Sequence, residues 1–157
     1  MAKNGILQEK IRSFYFAVGF AITQWQQVEL ALTQLFTLLL KSDARATSAA
    51  FNSVLSFRTK LAMVRSAAAV QLKDNPLLDE CISLCNRLEK KAQKRNQLAH
   101  FMVIQEPVEY GHPAPEMDID WSLRPTFFDG ARERRYKRGA PRLTTNDVMN
   151  RANAFIT

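Results

Sequence analysis

Cysteine is scarce in this chain of 157 residues, which has only Cys81 and Cys85. Two cysteines four apart on a predicted helix lack the look of a secreted disulfide framework, so a reducing compartment is expected. Five glycines and six prolines are too few for a low-complexity or disordered chain. Histidine is as rare as cysteine, with only His100 and His112. Long hydrophobic runs are also missing. The longest uncharged stretch, 13–28, contains Thr23, Gln24, Gln26 and Gln27, and falls short of the roughly 20 apolar residues that a membrane span needs. Gln8, Glu9, Lys10 and Arg12 interrupt the first apolar residues, with no small-residue cleavage site behind them. Neither a signal peptide nor a membrane partner is expected, and the reading is cytoplasmic.

Apolar residues make up 46% of the chain and charged residues 24%, the balance of a folded globular protein. The length suits one core, so a single domain over 1–157 is expected. The net charge of +7 favours polyanionic or acidic partners. Its distribution is uneven. Arg87, Lys90, Lys91, Lys94 and Arg95 stand against Glu89 alone, and residues 132–142 carry six bases against Glu133. Between these basic patches, 106–129 holds six acids against Arg124.

Leu7, Ile11, Phe14, Val18, Ala21, Trp25, Val28, Leu32, Leu35 and Leu39 follow an unbroken three-four spacing, which predicts one long first helix. Asn4 is placed to cap its start, and Ser42 or Asp43 to end it and cap the next. Phe16, Phe20, Ile22, Leu30, Phe36 and Leu38 flank the seam and widen the expected buried face, which implies several packing neighbours, a second subunit among the candidates. An Ala-rich short helix follows over 43–52, then a helix capped by Ser56 and running to about Lys73. Pro76 suits the first turn of a fourth helix that turns Leu77, Cys81, Leu84, Cys85, Leu88 and Ala92 inward and leads into Arg95 and His100. After residue 100 the pattern changes. FMVIQEPVEY and MDIDWSLRP read as two short strands of a hairpin or as extended chain. Thr144 and Asp147 form a capping box for a last helix that presents Val148, Ala152 and Phe155. The fold class is therefore all-α: a helical bundle with a long first helix, an irregular or β-hairpin insertion after the fourth helix, and a C-terminal helix.

The chemistry gathers at the end of the fourth helix, in KKAQKRNQLAHFMV (90–103). Arg95 continues the apolar stripe of Leu88 and Ala92, while Asn96 and His100 stack four apart on an adjacent face. A guanidinium on an inward stripe needs a carboxylate, a phosphate or a wet cleft. Together the three residues suit an RNA phosphodiester. Arg95 would hold the phosphate through two N–H groups, and His100 would move a proton at the ribose 2′-hydroxyl or the leaving oxygen. The competing reading is a helix tail in which Arg95 snorkels and His100 bonds the last carbonyls.

RNQLAH followed by the apolar FMV resembles the signature of HEPN domains, in which Arg, commonly followed by a polar residue, precedes His by four to six intervening residues; here there are four. The wider layout agrees with that family: a long first helix with a Trp-x-x-x-Glu pattern at Trp25 and Glu29, the motif late in the fourth helix, an irregular or β segment, then a Thr-capped helix. The resemblance implies an all-α homodimer, and many such proteins are metal-independent endoribonucleases whose two motifs meet across the dimer interface. Several act as toxins or phage-defence effectors, which makes an inhibitory protein an expected partner beside RNA. Carried over, Arg95 binds the scissile phosphate, His100 is the general acid or base, Asn96 supports them, and Glu29 is a weaker candidate for orienting Arg95 or His100. Glu29 otherwise reads as a solvated helix-face carboxylate. In members silenced by adenylylation a tyrosine lies two residues after the His; this chain has Met102 there, so that control is not expected.

Lys90, Lys91 and Lys94 are placed to draw in RNA, and the basic loop with Arg132, Arg134, Arg135, Tyr136, Lys137 and Arg138 is placed to track a backbone with one aromatic for stacking. The loop reads equally as a solvated turn. A zinc set of Cys81, Cys85, His100 and His112 is outweighed by packed thiols, and Asp118 with Asp120 by a solvated strand face, so neither metal nor cofactor is expected. No Gly-rich phosphate loop or His-Glu-x-x-His helix is present. Two other classes stay open beside the ribonuclease: a non-catalytic module that binds RNA, a nucleotide or a protein, and a structural dimerisation protein built on the long helix.

Overall fold

The three-four apolar spacing produces helices where it predicts them. A computed structural model describes residues 2–107, 119–125 and 142–156. The element order is α1 (Ala2–Leu40), α2 (Ala44–Asn52), α3 (Phe57–Gln71), α4 (Leu77–His100), β1 (Phe101–Pro107), β2 (Ile119–Pro125) and α5 (Thr145–Ile156). This is the all-α bundle with a short hairpin after the fourth helix and a C-terminal helix. None of the described helices is long and apolar enough to cross a membrane.

Helix boundaries follow local chemistry. Asn4 lies inside α1, which starts at Ala2, so it is not the cap that its residue type suggested. Asp43 caps α2 by accepting the amide of Ala46 on Oδ1 at 2.7 Å, and Ser56 caps α3 by accepting the amide of Thr59 at 3.3 Å. Asn75 Oδ1 accepts the amide of Leu77 at 2.9 Å, with Pro76 in the turn that opens α4. Lys41 (φ 50°) and Asp74 (φ 63°) stand in the left-handed region just beyond α1 and α3, a common way for helices to stop. The capping box at α5 is complete: Thr144 donates its amide and hydroxyl to Asp147 Oδ2, and Asp147 donates its amide to Thr144 Oγ1.

Two compact units divide the chain. The first comprises Met1–Gln24 and Arg95–Thr157, the second Trp25–Lys94. In the first unit β1 and β2 pair antiparallel, from Phe101 opposite Pro125 to Pro107 opposite Ile119. Leu143 exchanges both backbone hydrogen bonds with Leu123 and so joins the run into α5 to the hairpin. Phe14, Ala17, Ala21, Leu98, Leu123, Leu143, Val148, Ala152 and Phe155 are buried. The Oγ of Ser122, wholly buried on β2, has no hydrogen-bond partner among the described residues.

The core of the second unit gathers Leu32, Phe36 and Leu39 of α1, Phe51 of α2, Leu61, Val64, Ala67 and Ala68 of α3, and Cys81, Cys85 and Leu88 of α4. Phe36 stacks on Phe51 at 4.6 Å between ring centroids, and Trp25 meets Phe57 at 4.8 Å. Each fully buried large apolar side chain here contributes about 2 kcal/mol. The flanking residues of α1 divide. Phe36 joins the core, whereas Phe16, Ile22, Leu30 and Leu38 are exposed, so within one chain they do not widen its buried face. Leu77, expected inward, is also exposed.

Candidate functional site

Leu98 fixes the geometry of the RNQLAH turn. It is 4% exposed, and its burial sets the rotation of the last turns of α4 within the first unit. Residues two before and two after it lie about 200° round the helix, on the opposite side. Those residues are Asn96 and His100, and both are exposed. Arg95, three residues before Leu98 and about 60° from it, is half-buried. The expected inward placement of Arg95 is thus met in part, since the residue is half-buried. Its Nη1 donates to Asn96 Oδ1 at 3.2 Å, which joins two of the three predicted residues directly.

His100 is the last residue of α4, and β1 begins at Phe101. The switch follows from composition. KKAQKRNQLA consists mostly of good helix formers, while the β-branched and aromatic FMVI favours the extended hairpin strand. Lys90 and Lys94 are exposed and Lys91 is half-buried on the same helix.

Sequence reasoning did not single out Arg151. This residue of α5 donates a hydrogen bond from Nη1 to Oε1 of Gln97, inside the RNQLAH turn. Burial lowers the pKa of the Arg151 guanidinium below its usual range, and Asp147 opposes that shift. One signal was legible beforehand: Arg151 follows Asp147 by one helical turn. Its distant partner Gln97 was not.

Glu29 belongs to the second unit and is not a simple solvated carboxylate. Its Oε1 accepts the indole N–H of Trp25 at 2.7 Å, so the Trp-x-x-x-Glu pattern is one turn of helix closed by a hydrogen bond. Its Oε2 lies 3.7 Å from Nζ of Lys60, whose ammonium sits 5.6 Å from the centroid of the Phe51 ring. Lys60 was missed because no local pattern marks it.

The remaining candidates separate clearly. Cys81 and Cys85 are buried free thiols. Burial, with Cys81 adding to it, pushes the Cys85 thiol up to about 11, which leaves it protonated at neutral pH as a packed side chain. Arg132, Arg134, Arg135, Tyr136, Lys137, Arg138, His112 and Asp118 lie outside the described residues, as does the side chain of Asp120. Among the described residues no group of three or more His, Cys, Asp or Glu is arranged to hold a metal ion. No family model matches the chain, and no curated protein or solved structure shows significant similarity to it.

Proposed function

We propose that the end of α4 is the active site of an endoribonuclease of HEPN type, working without a metal. The observation that supports this reading best is the turn anchored by Leu98, where Arg95 is bonded to Asn96 while His100 is exposed at the terminus of the same helix. Asn96 restrains the guanidinium, whose planar fork of N–H donors matches the geometry of a phosphate. In the proposed step the ribose 2′-oxygen attacks phosphorus and the bond to the 5′-oxygen breaks. One His100 takes the 2′-hydroxyl proton while the leaving 5′-oxygen gains one from the second copy's histidine or from water, and the products are a 2′,3′-cyclic phosphate and a 5′-hydroxyl. Arg95 offsets the charge that grows on the phosphoryl oxygens. Lys90, Lys91, Lys94 and the basic stretch of sequence at 132–138 gather the polyanion. The reading includes a homodimer in which a second RNQLAH serves the same cleft, and a toxin or defence role restrained by an inhibitory protein.

Purified wild type, Arg95→Ala and His100→Ala, incubated with single-stranded and structured RNA in EDTA, test this. Wild type is expected to cleave, and each variant to lose about a hundredfold or more. Equal cleavage by wild type and His100→Ala would defeat the catalytic assignment. RNA binding by all three without cleavage above background would make the protein a binding module instead.

A further inference from the structure

The second unit carries an open groove of about 760 Å³ walled by Leu35, Leu39, Leu72, Leu77 and Leu84. Leu77 is 52% exposed on its edge. On the α4 lip stand Glu80, Ser83 and Arg87, all exposed. Glu80 and Arg87 are seven residues apart, which brings them to within about 20° of the same side of the helix but separates them by roughly 10 Å along it. At that separation they do not pair with each other, and neither has an ion-pair partner among the described residues. Leu84 lies between them, four residues after Glu80 and three before Arg87, on the same side.

The two charges on this lip match each other under a two-fold axis. A two-fold axis through the point midway between Ser83 and Leu84 sets position 80 of one helix opposite position 87 of the other, in both directions. We propose that a second copy of this chain docks here, α4 antiparallel to α4, with each Glu80 facing the partner's Arg87 and the two Leu84 side chains meeting at the axis. In the same register the exposed Leu77 faces position 90 of the partner, and each α4 lip covers its counterpart, as an isologous contact requires. Charge selects both orientation and occupant. Parallel helices would set Glu80 against Glu80 and Arg87 against Arg87, and a nucleic-acid occupant would meet the carboxylates of Asp79 and Glu80 on the lip. The contact uses residues of the second unit alone and does not rest on the ribonuclease reading; it is a separate interface from an RNQLAH cleft, because this register leaves the two Arg95 residues roughly 35 Å apart along the helices.

Sedimentation equilibrium of full-length wild type, Glu80→Arg, Arg87→Glu and the double exchange tests the pairing. Both positions are exposed, so the variants are expected to fold, with circular dichroism melts as the check. Each single exchange is expected to weaken self-association by about tenfold or more, and the double exchange to restore it to near wild type. The comparison among variants carries the test, because a contact at the RNQLAH end would change all four proteins alike. One unchanged association constant in all four, a monomeric wild type, or loss in both single variants without rescue in the double would overturn the proposal. An unrelated protein or a small apolar ligand in the groove would give the first or second of these results.

Discussion

Lys60, 7% exposed, holds its ammonium 3.7 Å from Glu29 Oε2, whose other oxygen takes the indole N–H of Trp25 at 2.7 Å. A buried cation without its carboxylate keeps the cost of desolvation and loses the attraction that offsets it. Glu29→Ala is therefore expected to lower unfolding free energy by about 2 kcal/mol, below the range for a fully buried pair because Glu29 is 31% exposed. Lys60→Met removes the charge and keeps the aliphatic stem. It should cost only about 1 kcal/mol, largely the lost contact with the Phe51 ring. Urea unfolding of the two variants checks the order, and a Lys60→Met variant less stable than Glu29→Ala would count against a buried pair.

Asp147 gives the chain a predictable response to acid. The Thr144 amide, then the Thr144 hydroxyl, hold its carboxyl below the usual carboxylate range. A pKa depressed in the folded state contributes stability that is fully present above the unfolded value, near 3.8, and is lost as pH falls through the folded value. Asp147→Ala is expected to cost about 1 kcal/mol at neutral pH through the lost capping box. Its difference from wild type should shrink steadily once the pH drops below about 4. Thermal melts of both proteins across that acid range measure the convergence, and a constant offset would show that the carboxylate's charge is not what matters.

Ser122 is wholly buried with a hydroxyl that finds no partner among the described residues. A buried hydroxyl without a partner is a standing cost, and removing one oxygen leaves only a small space. Ser122→Ala is expected to raise unfolding free energy by about 1 kcal/mol. A destabilised variant in chemical unfolding would mean that the hydroxyl has a function in the folded chain.

Much of this fold was legible in the sequence because its rules are local. Three-four spacing placed the helices, Asp43, Ser56 and Thr144 marked their starts, and the turn to β-branched and aromatic residues after His100 marked the hairpin. What escaped depended on distance along the chain. Nothing near Lys60 announces Glu29, and nothing near Gln97 announces Arg151. The long α1 is apolar on several sides, so spacing alone did not separate Phe36, which is buried, from Phe16 and Leu38, which are exposed. Leu77 fits the inward stripe of α4 by number, yet it lies at the open edge of a groove. At the candidate site, sequence placed RNQLAH at the helix end. The burial of Leu98 supplied the rotation that exposes Asn96 and His100 while half-burying Arg95.

Arg95 and the lysines before it are expected to fail in different ways when altered. Arg95 Nη1 is held by Asn96 Oδ1 at 3.2 Å, so the guanidinium has a defined orientation that an ammonium does not reproduce. If it binds the phosphoryl group as the bond breaks, Arg95→Lys lowers kcat by about tenfold or more with little change in KM. Asn96→Ala, which removes the restraint and leaves the charge, should give a smaller loss of the same kind. Lys90 and Lys94 are exposed and lie one helical turn apart. Replacing both with Ala should raise KM, leave kcat near wild type, and reduce the slope of log affinity against log salt by up to about 1.4 on single-stranded RNA. Initial rates and RNA binding over a series of salt concentrations separate the two patterns. If Arg95→Lys changed KM and the salt slope as the double lysine variant does, Arg95 would be one more backbone contact and the helix end would be a binding surface.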